Sequence, residues 1–524
     1  MQRYYPVGIQ TFSEIRENNK VYIDKTDLVW KLTQMSKYVF LGRPRRFGKS
    51  LLTTTLESYF EGRRDLFEGL KIMDLEQQWK SYPVIHLDLS MAKNKPSDGE
   101  LRRYLNMMLD DLMPQYNLEN KKLPGEKLAG LITKCYLETG KQVVVLIDEY
   151  DSPLLDVLHE EEQLPAFKKV MQEFYQPLKA CERMIKFCFI TGITKFSQLS
   201  IFSTLNNIMN LSMHPDFAAI CGITQRELVE DMAVDIAMLA QHEECSTDEM
   251  RHKLKLMYDG YHFSEKSEDI YNPYSLMNCF AQKRVKDYWF ESGTSEFLLK
   301  QMEQFNTDIA SLSDIQAPES AFNSPTERLT NALPLLYQAG YLTIKDYDKL
   351  SDMYRLSIPN QEVRVGLTEN MLPYYSGIES ADVQRGCAFK LYKALNTGDI
   401  DQAMRELQAF LAGVPYVDGF KKKLAGAATR EGFWEYTMCL IFSMMNVYVL
   451  TQVRCHGGRI DMAVFSASTT YIFEFKLNGT AQSALNQIDA NHYSDPFATA
   501  PNPVVKVGVS FDLEQWNIKD WIVG

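Results

Sequence analysis

The first chemistry in the chain is carried by Gly42-Arg43-Pro44-Arg45-Arg46-Phe47-Gly48-Lys49-Ser50. The apolar run Tyr38-Val39-Phe40-Leu41 before it reads as a strand, and residues 51–60 after it read as a helix ending near Gly62. Strand, loop, Gly-Lys-Ser and helix together form a phosphate cradle. Successive backbone N–H groups and the helix N-terminus surround the anion, Lys49 neutralises it, and the Ser50 hydroxyl reaches a Mg²⁺. One position departs from G-x-x-x-x-G-K-[ST]: Arg43 stands where the first glycine belongs, and Gly42 falls one residue early. Three arginines in four residues also make the loop unusually basic.

A second acidic element belongs with this loop. Val143-Val144-Val145-Leu146-Ile147 is apolar on both faces, as a central parallel strand covered by helices must be, and it ends in Asp148-Glu149-Tyr150-Asp151. In P-loop enzymes an Asp at this place holds Mg²⁺ through water, and the following Glu polarises the attacking water. Asp151 is the alternative for that second role. A lone buried strand ending in acids is common. Its occurrence downstream of a phosphate loop, with a further strand at 84–89 between them, points to nucleotide binding. Residues 184–190 read as another strand, ending in Thr191-Gly192-Ile193-Thr194-Lys195. In P-loop ATPases of the additional-strand type a polar residue at this tip senses the γ-phosphate. Thr191 is the first candidate and Thr194 the second, while a threonine capping a turn is an equally good reading.

The last hundred residues carry a separate constellation. Residues 471–477 read as a strand in which Glu474 and Lys476, two apart, share a face while Phe475 points into the core. Residues 457–465 read as a turn entering a neighbouring strand, and Asp461 lies at the start of that strand, within reach of Glu474. Two carboxylates converging from adjacent strands make a hard-oxygen site for Mg²⁺ or Mn²⁺. A lysine beside that metal orients or deprotonates a water, or stabilises charge in phosphodiester hydrolysis. Glu-x-Lys alone fits a structural salt bridge at a strand edge better. Around these residues, 430–447 read as a helix, 448–454 as a strand, 484–493 as a helix, and 503–509 as a last strand.

The remaining elements follow from pattern. Val21-Tyr22-Ile23-Asp24-Lys25-Thr26-Asp27 reads as a short strand and an N-capped helix, with no role derivable for Asp24 or Lys25. Residues 101–112 have helical periodicity, and Asn206-Asn207 and a helix from Thr224 close the first domain. Thr224-Gln225-Arg226-Glu227 has capping-box spacing. Residues 326–339 read as a helix followed by strands at 340–344 and 354–359, the order of a winged helix, with 360–365 prolonging the second strand or forming its turn. Lys345, Lys349 and Arg355 are balanced by Asp346, Asp348 and Asp352, which favours a packing or regulatory lid over a phosphate-tracking surface. Residues 380–425 read as a helical connector.

Composition bounds the class. With 524 residues, 45% hydrophobic and 24% charged, the chain has the make-up of an ordinary globular protein of two to four domains. A net charge of −12 argues against a generally nucleic-acid-coating protein. The nine cysteines are odd in number and never form C-x-x-C, so reduced thiols in a cytoplasmic protein are expected. Met1-Gln2-Arg3-Tyr4-Tyr5-Pro6 lacks the apolar core of a signal peptide. The longest apolar stretch, 436–450, contains Thr437, Ser443 and Asn446 and is too short and polar for a membrane span.

The segments Asp24-Lys25-Thr26, Arg43 through Leu51, Tyr258-Asp259-Gly260-Tyr261-His262-Phe263 and Tyr271-Asn272-Pro273-Tyr274-Ser275 resemble the bacterial AAA-ATPase-like family. In that family the basic Arg-Pro-Arg-Arg-Phe loop is the norm, and an AAA-type P-loop domain precedes a nuclease-like domain. The resemblance gives no role for residues 258–263, which read as an aromatic-rich turn. The order Glu435, Gly458-Arg459-Ile460-Asp461, Glu474-Phe475-Lys476, Gln487 and Tyr493 resembles the PD-(D/E)XK nuclease superfamily, whose core is αβββαβ. Ile460 stands in place of the motif's proline. This resemblance implies that Asp461 and Glu474 are metal ligands, that Lys476 is the catalytic lysine, that Glu435 supports the metal through water, and that Gln487 sits beside the site.

The expected architecture is α/β. Residues 1–290 form a P-loop NTPase domain of the AAA type with a helical lid. Residues 291–425 form a helical and winged-helix-like connector, and 426–524 a restriction-endonuclease-like domain. The nucleotide-binding set is Arg45, Arg46, Phe47, Gly48, Lys49, Ser50, Leu51, Asp148 and Thr191, with ATP and Mg²⁺ as cofactors. The expected function is an ATPase whose nucleotide state regulates a metal-dependent DNA nuclease. Against cleavage stand nine acids and only six Lys and Arg between Ala427 and Gly524, so DNA binding would be weak or partner-assisted. The alternative is a nucleotide-dependent switch in which the nuclease fold is a binding or assembly module. Many such ATPases take an arginine from a neighbouring subunit, so a homo-oligomer is an open expectation; Arg226 and Arg183 are equal candidates.

Overall fold

Strand β1 (Tyr38–Gly42) is buried over its first four residues, and β3 (Val143–Asp148) over all six. Strands apolar on both faces need helices on both sides, and the computed structural model supplies them. It describes all residues except 1–2, 113–122, 159, 161, 196–207, 291–297, 299–300, 303, 306, 308–311, 313, 326–328, 377–380, 413–447, 456–457, 467, 478, 499–501 and 513–516. With β2 (Val84–Asp88), β4 (Ile185–Gly192) and β5 (Met209–Asn210), β1 and β3 form a parallel sheet of order β2-β3-β4-β1-β5. The register pairs Leu41 with Thr191 and Asp88 with Asp148, so the carboxyl ends of β1 to β4 share one edge. Tyr38, Phe40, Val145, Ile147, Leu105 and Leu131 are among the residues packed on one side of the sheet.

Two compact units divide the chain, one comprising residues 1–305 with 315–360 and the other 306–314 with 361–524. In the first unit, β6 (Ile223–Thr224) and β7 (Ile270–Tyr271) pair antiparallel beside a cluster of helices. The Thr224 capping box is present, with both reciprocal hydrogen bonds to Glu227. The strand expected at 21–23 belongs to none of the described sheets. Val21 and Ile23 are buried in the helical cluster, and Val21 N donates to Tyr4 O, so burial and that bond, not a ladder, anchor the segment. Strands β8 (Ile315–Ala317), β9 (Thr343–Asp348) and β10 (Met353–Ser357) form an antiparallel sheet of order β8-β10-β9 around Phe322, Ile344 and Leu356. With the helix Leu333–Gln338 this is a winged-helix-like element. That helix is shorter than the 326–339 expected, because Asn331 Oδ1 accepts from Leu333 N and starts it late.

In the second unit the residues after Asn360 enter a helix, Gln361–Ser376, and do not prolong β10. Helices Ala381–Asn396 and Ile400–Ala412 follow. A mixed sheet of order β11-β12-β13-β14-β15 is built from β11 (Tyr448–Cys455), β12 (Gly458–Phe465), β13 (Thr470–Lys476), β14 (Val504–Asp512) and β15 (Asn517–Val523). Strand β14 runs parallel to β13 after the helix Ala481–Ala490; the other neighbours are antiparallel. The helix expected at 430–447, with Glu435, and the pair Asn206-Asn207 lie outside the described residues. Strand β15 was not expected. It is an edge strand with Ile518 buried and charged residues facing out, a half-buried pattern weaker than that of β13. Among the described residues no helix is long and apolar enough to cross a membrane.

Candidate functional site

The loop after β1 meets the helix Lys49–Phe60 at Gly48, which takes φ 84°, and a Cβ built there would touch nothing within 4 Å. The space over the loop is therefore open where a phosphate would rest. Lys49 is buried, and its Nζ folds back to donate to Arg43 O at 3.0 Å and Pro44 O at 2.9 Å. Burial lowers its pKa, while Asp148, Glu149 and Asp151 favour the charged form. Ser50 hydrogen-bonds to the Asp148 carboxylate, which burial raises in pKa against that bond and Lys49. Hydroxyl and carboxylate thus meet where a hard cation on a phosphate would be held, and the residues fit a Mg–nucleotide. Glu149 follows with φ 49°, a left-handed conformation unusual for a non-glycine residue. Its amide donates to Asp148 Oδ1 at 2.9 Å.

The remaining loop residues divide into those that face solvent and those that anchor. Arg45 and Arg46 are exposed. Arg46 has φ 67° and lies 4.6 Å from the Tyr274 ring centroid. Phe47 is buried edge-on to Tyr261 and Phe263. Leu51 lies in the first turn of the helix, where its carbonyl accepts from the Thr54 and Thr55 hydroxyls. Arg43 is 1% exposed. Its guanidinium donates to Gly42 O, Ser212 O and Phe217 O and sits 4.2 Å from the Phe263 ring centroid. The arginine in the consensus glycine position therefore faces the loop's support and not its ligand. The aromatic turn at 258–263, left without a role by sequence, is part of that support. No short-range signal could have found this, because the partners lie more than two hundred residues apart. Asp24 and Lys25 also become legible. Asp24 Oδ1 accepts from Thr26 N and Oγ1, and Lys25 Nζ pairs with buried Glu227 at 2.6 Å.

At the tip of β4, Thr191 is fully buried and its hydroxyl donates to Leu41 O at 2.7 Å, tying β4 to β1. The Thr194 hydroxyl donates to Asp151 Oδ2 at 2.7 Å. Both candidate sensors thus use their protons inside the protein. Asp88, which sequence reading passed over, lies at the end of β2 in register with Asp148.

In the second unit, Met462 pairs with Phe473, so the next step of the register brings Asp461 opposite Glu474. Asp461 Oδ2 accepts from Phe475 N at 2.8 Å, and the two carboxylates are in hydrogen-bonding contact. Glu474 is 2% exposed, and its Oε2 has no hydrogen-bond partner. Burial first, and then the Asp461 charge, raise its pKa against the pull of Lys476. Lys476 Nζ donates to Glu474 Oε1 at 3.1 Å and Gln487 Oε1 at 2.6 Å. Gln487 in turn lies near the Tyr493 hydroxyl, which accepts from Asn491 Nδ2 at 3.0 Å. A buried carboxylate oxygen lacking a donor, beside a second carboxylate, is an environment that a divalent cation would complete. Asp461 and Glu474 fit Mg²⁺ or Mn²⁺ as ligands. Among the described residues no set of three acidic, His or Cys side chains converges on a metal position. The expected third carboxylate, Glu435, lies outside those residues.

These features define an α/β protein with a P-loop NTPase domain of the AAA type and a C-terminal restriction-endonuclease-like domain. Residues 6–202 match the family model described as a predicted AAA-ATPase, and 429–521 match the PD-(D/E)XK nuclease superfamily. An uncharacterized protein in the vnfD 5′ region of Azotobacter chroococcum mcd 1 is 30% identical over 527 residues, covering 99% of this chain and 98% of that protein. The solved structure of the Aeropyrum pernix ORC2 protein (ADPNP-ADP complexes) aligns at 12% identity over 64% of this chain and 87% of that chain, with a TM-score of 0.26. The chain belongs to the AAA-ATPase-like family with a C-terminal PD-(D/E)XK nuclease superfamily domain.

Proposed function

We propose that the protein binds and hydrolyses ATP at the P-loop and that its nucleotide state regulates a metal-dependent phosphodiesterase in the C-terminal domain. The observation that carries the second half is the orphaned Glu474 Oε2, buried beside Asp461 and within a strand step of Lys476. A relic kept only for its shape has no need of a buried carboxylate oxygen that lacks a donor, which costs about 1–3 kcal/mol. In this reading Lys49 and the loop amides hold the phosphates, Ser50 and Asp148 hold Mg²⁺, and Glu149 orients the attacking water. At the second site Asp461 and Glu474 hold Mg²⁺ or Mn²⁺, with Glu435 as an outer carboxylate. The metal there supplies a Lewis acid for phosphodiester hydrolysis, and Lys476, aimed by Gln487, stabilises the charge that develops. We keep 1–290, 291–425 and 426–524 as functional domains, and propose a cytoplasmic protein on the odd number and scattered spacing of its nine cysteines.

The acidic surface of the C-terminal region supports a second reading, in which the nuclease fold is a binding or assembly module of a nucleotide switch. Incubation of the full chain with plasmid and oligonucleotide substrates, with Mg²⁺ or Mn²⁺ and with or without ATP, separates the two. Metal-dependent cleavage that changes with ATP supports regulation of a nuclease. Bound metal without cleavage of DNA or RNA moves the conclusion to the second reading.

A further inference from the structure

We propose that Asp151 is a positioning residue of the nucleotide site: its carboxylate clasps the tip of β4 to the tip of β3 and so fixes the backbone that presents Glu149. The inference rests on the reading of Glu149 as the residue that orients water, and it assigns Asp151 a role distinct from that of a base.

Asp151 is 1% exposed. One oxygen, Oδ2, accepts from Ile193 N at 3.1 Å, Thr194 N at 2.7 Å and Thr194 Oγ1 at 2.7 Å. Oδ2 is thereby filled by protein donors, and Oδ1 packs against Gly192 with Ile193 N at 3.4 Å, so the carboxylate is turned to the strand tips and away from solvent, a setting that suits a positioning role better than that of the alternative base. The contact is also sterically close. A Cβ on Gly192 would come within 2.3 Å of Asp151 Oδ1 and 2.6 Å of the Tyr150 ring, so the two strand tips meet only because residue 192 has no side chain. Tyr150 completes the clasp from the other side. Its amide donates to Thr191 O at 3.1 Å, its hydroxyl donates to Thr194 O at 2.8 Å, and its own carbonyl accepts from the Tyr175 hydroxyl at 3.0 Å.

Glu149 sits immediately before this knot at φ 49°. A non-glycine residue holds such a conformation only when its surroundings over-determine it, at a cost of order 1 kcal/mol or more. The bonds of Tyr150 and Asp151 to Thr191, Ile193 and Thr194 supply that constraint. Without them Glu149 would relax toward an ordinary backbone conformation and carry its carboxylate away from the site beside Asp148.

The test uses the full chain and Asp151→Ala, Asp151→Asn, Thr194→Val and Glu149→Gln. Binding of a fluorescent ATP analogue, steady-state ATPase kinetics and hydrogen exchange of the backbone amides at 149–151 and 192–195 are measured on each. Asp151→Ala is expected to lower kcat by about 10- to 100-fold, the size of a small misplacement of a reacting group. Its ATP affinity should stay within about 3-fold, since the loop is unchanged and Lys49 keeps Asp148 and Glu149, the stronger of its acidic neighbours. Asp151→Asn, whose carboxamide oxygen can accept the same three donors, should recover most of kcat; Thr194→Val, which removes one donor, should fall between. Exchange at both tips should speed up in Asp151→Ala and return in Asp151→Asn. Equal losses in binding and kcat, absence of rescue by Asn, or unchanged exchange overturns the clasp. Normal turnover in Glu149→Gln together with loss in Asp151→Ala refutes the assignment of Glu149 instead. If the unmodified chain binds ATP without turnover, the exchange data alone decide for or against the clasp.

Discussion

The guanidinium of Arg43 lies 4.2 Å from the centroid of the Phe263 ring and donates to three carbonyl groups beneath the phosphate loop. Burial lowers its pKa to about 10, so it stays charged at neutral pH, held by carbonyl dipoles and a ring face. Restoring the consensus with Arg43→Gly should therefore harm the protein. The backbone at 43 is not left-handed, so glycine brings no relief there, and the variant loses packing and charge-assisted hydrogen bonds on the order of 2–4 kcal/mol. Thermal unfolding should show a midpoint lowered by several degrees, with no gain in ATP affinity by titration. A tighter-binding, equally stable Arg43→Gly protein would contradict this account.

Lys49 and Glu149 should separate binding from turnover. In the proposed reading Lys49 neutralises the phosphate, so Lys49→Ala should abolish binding of a fluorescent ATP analogue while leaving circular dichroism unchanged. Glu149→Gln keeps the shape but not the charge, so ATP should remain bound and kcat fall by about 100-fold or more. Unchanged ATPase turnover in Lys49→Ala refutes the phosphate-loop assignment.

Metal binding at the second site should depend on pH in a defined direction. Burial and Asp461 raise the pKa of Glu474, so a divalent ion must displace a proton to bind there. Calorimetric titration with Mn²⁺ should show affinity rising as pH increases through the neutral range and levelling once the pair is ionised. Glu474→Gln and Asp461→Asn should each weaken binding by about 10-fold or more, whereas Lys476→Ala should bind metal and lose cleavage. Affinity that falls with rising pH would exclude this site.

Asp259 offers a pH test of stability in the first unit. It is 2% exposed with Oδ1 unpartnered, and burial raises its pKa from the usual carboxylate value to about 6, with Asp269 raising it and Lys255 and Lys345 lowering it. The folded state thus holds its proton more tightly than the unfolded state. The resulting stabilisation is fully present below the unfolded pKa and is lost as pH rises through about 6. Between about pH 5 and 7.5 the unmodified protein should lose a few degrees more of unfolding midpoint than Asp259→Asn does, as differential scanning calorimetry would report. Parallel midpoints across that range would show that the carboxyl does not titrate there.

Much of this was legible from local pattern. Strands β1, β3 and β4 are apolar on both faces and end in the residues that matter, and Glu474-x-Lys476 announces a shared face through the two-residue period of a strand. What sequence did not disclose depends on partners far along the chain. Arg43 could not be recognised as an anchor without Ser212, Phe217 and Phe263, nor could Asp151 be distinguished from a base without Thr194. Residues 21–23 resembled a strand because Val21 and Ile23 alternate as buried positions, although their burial is in the helical cluster and not in a ladder. Strand β15 escaped because its charged residues, Lys519 and Asp520, are adjacent and both exposed, which breaks the two-residue alternation, and it needs β14 to define it.

The winged-helix-like element presses Gly340 against the Pro44 ring, which a Cβ at 340 would approach to 2.5 Å, while Lys345 Nζ donates to Gly260 O and Pro359 O. The phosphate loop's floor is thus finished by chain that arrives some three hundred residues after the loop itself. Ribosomal synthesis delivers Lys49 long before Gly340, so the packing of Gly340 on Pro44 cannot form until residue 340 has emerged. Fragments ending at 202 or 290 would lack that packing beneath the loop, and an inactive fragment of either length would report on truncation, not on the full chain.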